Sequence, residues 1–299
     1  MKFNLSKLFA KKLIIVSGKG GVGKTTVSLA LALLAAEQGK KTLLAEINSE
    51  GQVSQLLNED IGYPEREVLP HLWAINISPK LSFEEYVLMQ IKFKGLYKAV
   101  FENKFVRYFI EAIPGLGDLM SIGKIYASVN NYDLIVVDAP ATGHGVSLLQ
   151  VPSIVASAVK VGPLKTHSDG IDRLLHDENK TQIVLVTLPE EMPVTEALEM
   201  SAQLQKMALP LELLLLNQFR TSPLTTDEAE EFGSLPVGSP QGKAMSLELA
   251  RADLSELYLN QLKNALPEVP LVKIPFLYTP EFKLAEVQVV ADALAKELL

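Results

Sequence analysis

The 299-residue chain contains no cysteine. That absence excludes disulfides, thiolate zinc sites, cysteine-held iron–sulfur clusters and a cysteine nucleophile, and it fits a cytoplasmic location. Long apolar runs are missing too. The longest near the start, Leu29 to Ala36, falls inside a helical pattern, and no stretch reaches the 18 residues a membrane-spanning helix needs. Positive charge is in deficit: 28 Lys+Arg face 35 Asp+Glu, a formal net charge of -7. That balance is a poor match for a surface that tracks nucleic-acid phosphates. With 48% hydrophobic and 21% charged residues the composition excludes an intrinsically disordered chain. The first twelve residues, MKFNLSKLFAKK, lack the apolar stretch and cleavage site of a signal peptide and read as a loose N-terminal extension.

What is present is an alternation of strand and helix patterns. Strands are expected at Leu13–Ser17, Thr42–Ile47, Leu72–Ser78, Asp133–Asp138, Gln182–Thr187, Leu211–Asn217 and Leu271–Phe276. Near-continuous apolar strands separated by helices predict an α/β fold with a doubly wound, mostly parallel sheet buried between helical layers. Helices are expected from Lys24 to Gln38, stopped by Gly39, from the Gly233–Gly242 loop to about Leu266, and from about Pro280 to Leu299. Residues 81–129 break the alternation. Tyr86, Met89, Phe93, Tyr97, Phe101, Phe105 and Phe109 recur at spacings of three and four, and the turn Ile113–Gly117 splits the stretch. A single domain over residues 1–299 is expected, with its core at about 11–80 and 130–299 and a helical subdomain inserted at about 81–129. The aromatic stripe reads either as packing between helical hairpins or as part of an apolar client groove. The DEAEE run, Asp227 to Glu231, reads as a solvated helix face.

The strongest local signal is GKGGVGKTT, Gly18 to Thr26, placed between a strand and a helix. It satisfies the phosphate-binding pattern G-x-x-x-x-G-K-[ST]. Gly18, Lys19, Gly20, Gly21, Val22 and Gly23 would turn backbone N–H groups toward phosphate oxygens, and the helix N-terminus adds its unpaired donors and its dipole. Lys24 is expected to bridge the β- and γ-phosphates, Thr25 to ligate Mg²⁺ and Thr26 to contact the α-phosphate. Asp138 ends a strand at the edge where open α/β sheets bind ligands, and a carboxylate there can hold the Mg²⁺. Asp133, at the start of that strand, reads as a cap or turn residue.

Lys19, a second lysine inside the loop, gives the chain a resemblance to ATPases with a deviant Walker A motif. The segment Asp138–Pro152 (DAPATGHGVSLLQVP) resembles the switch II region of one branch of that group, the ArsA-type anion-pump and tail-anchored-protein targeting ATPases. The match falls on Asp138, Thr142, Gly143, His144 and Leu149. LPEEMPVTEAL (Leu188–Leu198), the strand-end Asn217 and the KIPFLYTPEF stretch with Pro275 and Phe276 resemble further parts of the family. The resemblance implies ATP or ADP with Mg²⁺, a homodimer in which Lys19 reaches the partner's nucleotide, and Thr142 and His144 sensing the γ-phosphate. It also implies that Asn217, Pro275 and Phe276 take the adenine.

The family's switch I Asp is replaced here by Asn48, which orients water but accepts no proton at neutral pH, so slow hydrolysis is expected. Glu46, at the end of the second strand, and Glu50, just after it, stand either as catalytic or metal-holding acids or as cap and surface acids. Arsenite chemistry on three cysteines and a CxxC zinc clasp are excluded, and the client stays open, a hydrophobic segment or membrane-protein partner being one choice. Two rival readings follow. One is an ATP- or ADP-binding regulatory module with negligible turnover. The other is a partition- or Min-like ATPase, which the sparse bases of the last helix, Lys283 and Lys296, do not favour.

Overall fold

The structure is a computed structural model and describes residues 4–90, 115–222, 224, 228 and 239–298, with only the backbone described at Gln90, Thr142 and His144. Its strands are β1 (Leu13–Gly18), β2 (Thr42–Ile47), β3 (Arg66–Leu69), β4 (Leu72–Ile77), β5 (Leu134–Asp138), β6 (Thr181–Thr187), β7 (Leu211–Phe219) and β8 (Leu271–Pro275). They form one sheet in the order β3-β4-β2-β5-β1-β6-β7-β8. All neighbours pair in parallel except β3 and β4. β1, β2, β5 and β6 are buried along their whole length, as strands covered on both faces must be.

The helices are α1 (Leu5–Phe9), α2 (Lys24–Glu37), α3 (Gln52–Leu57), α4 (Pro79–Gln90), α5 (Leu116–Ser128), α6 (Thr142–Ala158), α7 (Pro163–His176), α8 (Glu191–Lys206), α9 (Pro240–Ala265) and α10 (Leu284–Leu298). On one face of the sheet Val16, Leu44 and Val136 pack with α1, α2 and α10. On the other, Ile15, Ala45 and Val137 pack with α5, α6, α7, α8 and the end of α9. α2 is apolar nearly all round because it lies between the sheet and α10, and Gly39, in the left-handed region at φ 79°, ends it where the sequence places the stop.

Two sequence expectations are corrected here. The N-terminal segment is not loose: Leu5, Leu8 and Phe9 are buried in the core beside β1, and Asn4 accepts from Lys7 N to cap the short helix. Apolar residues at i, i+3 and i+4 form one stripe, which the lysine count obscured. β3 has no counterpart among the strands expected from the sequence. It is an antiparallel edge strand of four residues, two exposed and two half-buried, between Pro64 and Pro70, so it carries no apolar run. Within the stretch read as an insertion, α5 buries Leu119, Ile122 and Ile125 directly in the second core face, and α4 packs on α5. Of the aromatic stripe, Tyr86 and Met89 lie on α4, whereas Phe93, Tyr97, Phe101, Phe105 and Phe109 lie outside the described residues, as do Ile113 and Pro114, most of the Asp227–Glu231 run and residues 233–238.

Candidate nucleotide site

The loop Gly18–Gly23 leaves the carboxyl end of β1, at the point where the chain order reverses between β5 and β6. Two glycines are compulsory. A Cβ on Gly18 would sit 2.2 Å from the Val186 carbonyl oxygen, and one on Gly23, whose φ is 91°, would sit 2.3 Å from Asn217 Nδ2. Gly23 is also the N-cap of α2 and offers no side-chain acceptor, so the first-turn N–H groups keep their donors for a ligand. Gly20, Gly21 and Val22 fill the loop between. Lys24 donates to the Lys19 carbonyl at 2.9 Å. Burial lowers its pKa from the usual lysine value, partly offset by the Asp138 carboxylate. Lys19 itself forms an ion pair of 2.6 Å with Glu196 Oε1 on α8 of the same chain.

Asp138 is buried at the end of β5, where its Oδ2 lies 2.6 Å from the Thr25 hydroxyl. Desolvation pushes its carboxyl up to about 6, and the nearby Glu46 carboxylate adds to that, against hydrogen bonding from Thr25 and the charge of Lys24. Asp133, at the other end of β5, accepts from Lys41 N at 3.0 Å and so acts as a turn residue. Unpaired N–H donors, a lysine, a hydroxyl and a buried carboxylate make the donor set that nucleotide phosphates and a hard divalent cation require, and they line one open cleft of about 590 Å³. A second hollow of about 370 Å³ continues from Gly23 and Thr26 to Asn217, Pro275 and Phe276. There Asn217 Nδ2 donates to the Val22 carbonyl and its Oδ1 accepts from Gln218 N, both at 2.9 Å, so the carboxamide braces the loop as well as facing the hollow. Gln218 is left-handed at φ 56°, in the register shift of the β7–β8 pairing between Leu216 and Phe219.

A family profile described as "Anion-transporting ATPase" matches residues 11–168, more than half of the chain. An ATPase of Mycobacterium tuberculosis, BagA, is 35% identical over 278 residues, covering 87% of this chain and 82% of its own. The ATPase GET3 of Podospora anserina is 24% identical over 303 residues, covering 88% and 84%. A putative arsenical pump-driving ATPase of Halobacterium salinarum is 27% identical over 233 residues, 72% of this chain and 36% of its own length. The chain belongs to the anion-transporting ATPase family.

In this member of the family the segment after β2 is fixed from below. Glu46 pairs in register with Asp138 across β2 and β5 and is 1% exposed. It does not line the cleft, as the sequence allowed. Its Oε1 accepts from the Ser49 hydroxyl at 2.9 Å and from Val53 N at 3.0 Å, and burial raises its pKa. Asn76 on β4 clamps Ser49 from the other side, receiving its N–H and donating to its carbonyl. Asn48 is exposed at the cleft with φ 50°, a left-handed conformation that asparagine tolerates better than most residues, and Glu50 is exposed beside it. Thr142, Gly143 and His144 form the first turn of α6, directly after the Pro140–Ala141 wall of the cleft.

Several residues at the site carry no signal in the sequence. Gln52, the first residue of α3, brings Oε1 to 2.7 Å from the Thr25 hydroxyl. Arg220 lays its guanidinium 3.6 Å from the centre of the Phe276 ring and donates to Glu248 Oε2 on α9 and to the Tyr278 hydroxyl. These contacts join parts of the chain 25 or more residues apart, and no local spacing announces them. The Walker-type pattern announces Thr25 because strand, loop and helix are contiguous around it, and Asp138 is announced by its place at the end of an apolar strand.

Proposed function

We propose that this chain is a Mg²⁺-dependent ATP hydrolase that works as a nucleotide-driven dimeric switch on an apolar client. The observation that carries the reading is the Thr25 hydroxyl held against buried Asp138 at the mouth of a loop in which Gly18 and Gly23 admit no side chain. Thr25 and Asp138 would hold Mg²⁺, which supplies a Lewis acid to neutralise charge developing on the phosphate oxygens. Loop and first-turn N–H groups cradle the phosphates, and Lys24 exchanges the Lys19 carbonyl for the β–γ edge. Thr26 reaches the α-phosphate, while Asn217, Pro275 and Phe276 receive the base. Asn48 orients the attacking water without taking its proton, so turnover is slow. Thr142, Gly143 and His144 report the γ-phosphate to α6.

For the dimer, Lys19 leaves Glu196 and crosses to the partner's nucleotide. The client surface is proposed around α4, where Leu88 and Met89 are exposed. Light scattering of the purified chain tests the switch. ATP with Mg²⁺ should double the mass, and Lys19→Ala should prevent the doubling. A wild-type mass that ignores ATP would remove the dimeric switch.

The exposed amide at Asn48 favours one second reading, a nucleotide-binding module with negligible turnover. Asn48→Asp separates the two: a sharp rise in rate with unchanged binding marks the natural protein as a damped hydrolase, and no rise from an undetectable rate favours the module.

A further inference from the structure

Three oxygens meet at the cleft floor. Thr25 Oγ1 lies 2.6 Å from Asp138 Oδ2 and 2.7 Å from Gln52 Oε1. Adjacent ligands of an octahedral Mg²⁺ with bonds of 2.0–2.1 Å stand about 2.9 Å apart, so these spacings are close to the edges of such a shell. The single Thr25 proton satisfies only one of its two neighbours. Given to the Asp138 carboxylate, it leaves Gln52 Oε1 facing a hydroxyl lone pair, an arrangement that a cation relieves.

The placement of Gln52 is built. Ser49 Oγ accepts from Gly51 N at 3.2 Å and from Gln52 N at 3.4 Å. Glu46 Oε1 holds Ser49 and Val53 on either side, and Asn76 clamps Ser49 from β4. Gly51, left-handed at φ 84°, turns the chain into α3 and aims its first side chain at Thr25. Asn48 and Glu50, the other polar residues of this segment considered from the sequence, make no side-chain hydrogen bond to the phosphate loop among the described residues.

We infer that Gln52 is a third oxygen donor of the Mg²⁺ site, bound to the metal or to one of its waters, and that through it the segment after β2 is tied to the metal–nucleotide. The inference rests on the proposed Mg²⁺–nucleotide reading and adds a residue to that site. It also explains why a segment lacking the switch I Asp keeps a rigid scaffold beneath it.

Calorimetric titration with ADP across a series of Mg²⁺ concentrations tests this without turnover. In the wild type, ADP binding tightens as Mg²⁺ is added, with a measurable midpoint. Gln52→Ala should raise that midpoint about tenfold or more, the usual effect of removing a supporting metal contact. ADP binding in EDTA and the melting temperature should stay at wild-type values, since Gln52 is exposed. Gln52→Glu keeps an oxygen donor and adds charge, so it should lower the midpoint. A midpoint in Gln52→Ala within twofold of wild type overturns the inference and leaves the nucleotide reading intact. So does a Gln52→Glu midpoint raised as far as that of the alanine variant. A wild type that binds no ADP, or whose ADP binding ignores Mg²⁺, overturns both.

Discussion

Asp138 and Glu46 sit side by side on neighbouring strands, both buried and both with raised pKa values, and they are kept for different work. Glu46 spends its charge on the Ser49 hydroxyl and Val53 N–H; Asp138 faces Thr25 and the cleft. The position of Asp138 opposes stability in the nucleotide-free protein. Its carboxyl moves from 3.8 to about 6, so its relative stabilisation is fully present below pH 3.8 and is lost as pH rises through 6. By linkage the ionised group opposes folding by up to about 3 kcal/mol at neutral pH. Asp138→Asn should therefore melt higher than wild type at pH 8 without ligand, with the gain shrinking to nothing by about pH 4, and it should lose the Mg²⁺ response of ADP binding. Thermal melts of both proteins across pH check this; a variant less stable at pH 8 would contradict it. Residues such as Asp138 are legible in sequence because they end an apolar strand. Gln52, Arg220 and Asn76 are not, because only the fold brings their partners near.

Secondary elements follow the same logic. Every strand buried on both faces announces itself by a continuous apolar run, and each lies within two residues of its expected ends. The half-exposed edge strand β3 does not, and α1 was hidden by its lysines. Within α6, Gly143 belongs to a regular first turn, and open space surrounds the position its Cβ would take. Nothing in this conformation requires glycine there. If the turn rewinds during the switch, Gly143→Ala should melt at or slightly above the wild-type temperature, by helix propensity, yet turn over ATP at least tenfold more slowly. Melting and phosphate release on one preparation check it, and unchanged turnover would make Gly143 dispensable to switching.

At the scale of the whole molecule, the ion pair between Lys19 and Glu196 ties the phosphate loop to α8, which packs on β1 and β6. The pair is about one quarter exposed at each end, and such pairs contribute only modestly, so it is a contact that a partner's phosphates can outbid. Glu196→Gln should shift ATP-dependent dimerisation to lower protein concentration by several-fold, read by sedimentation; weaker dimerisation would place Glu196 in the interface instead. The alternation of strand and helix patterns predicts a doubly wound, mostly parallel α/β sheet, and the eight-stranded sheet with helices on both faces agrees with it. The proposed client surface is the least legible part, since apolar residues on α4 carry the same pattern whether they pack or dock. The most direct measurement is phosphate release from Mg·ATP by the purified chain beside Lys24→Ala. The account predicts slow but measurable release that Lys24→Ala abolishes. Release that survives in the variant, or none in the wild type, would contradict an ATP hydrolase built on this loop.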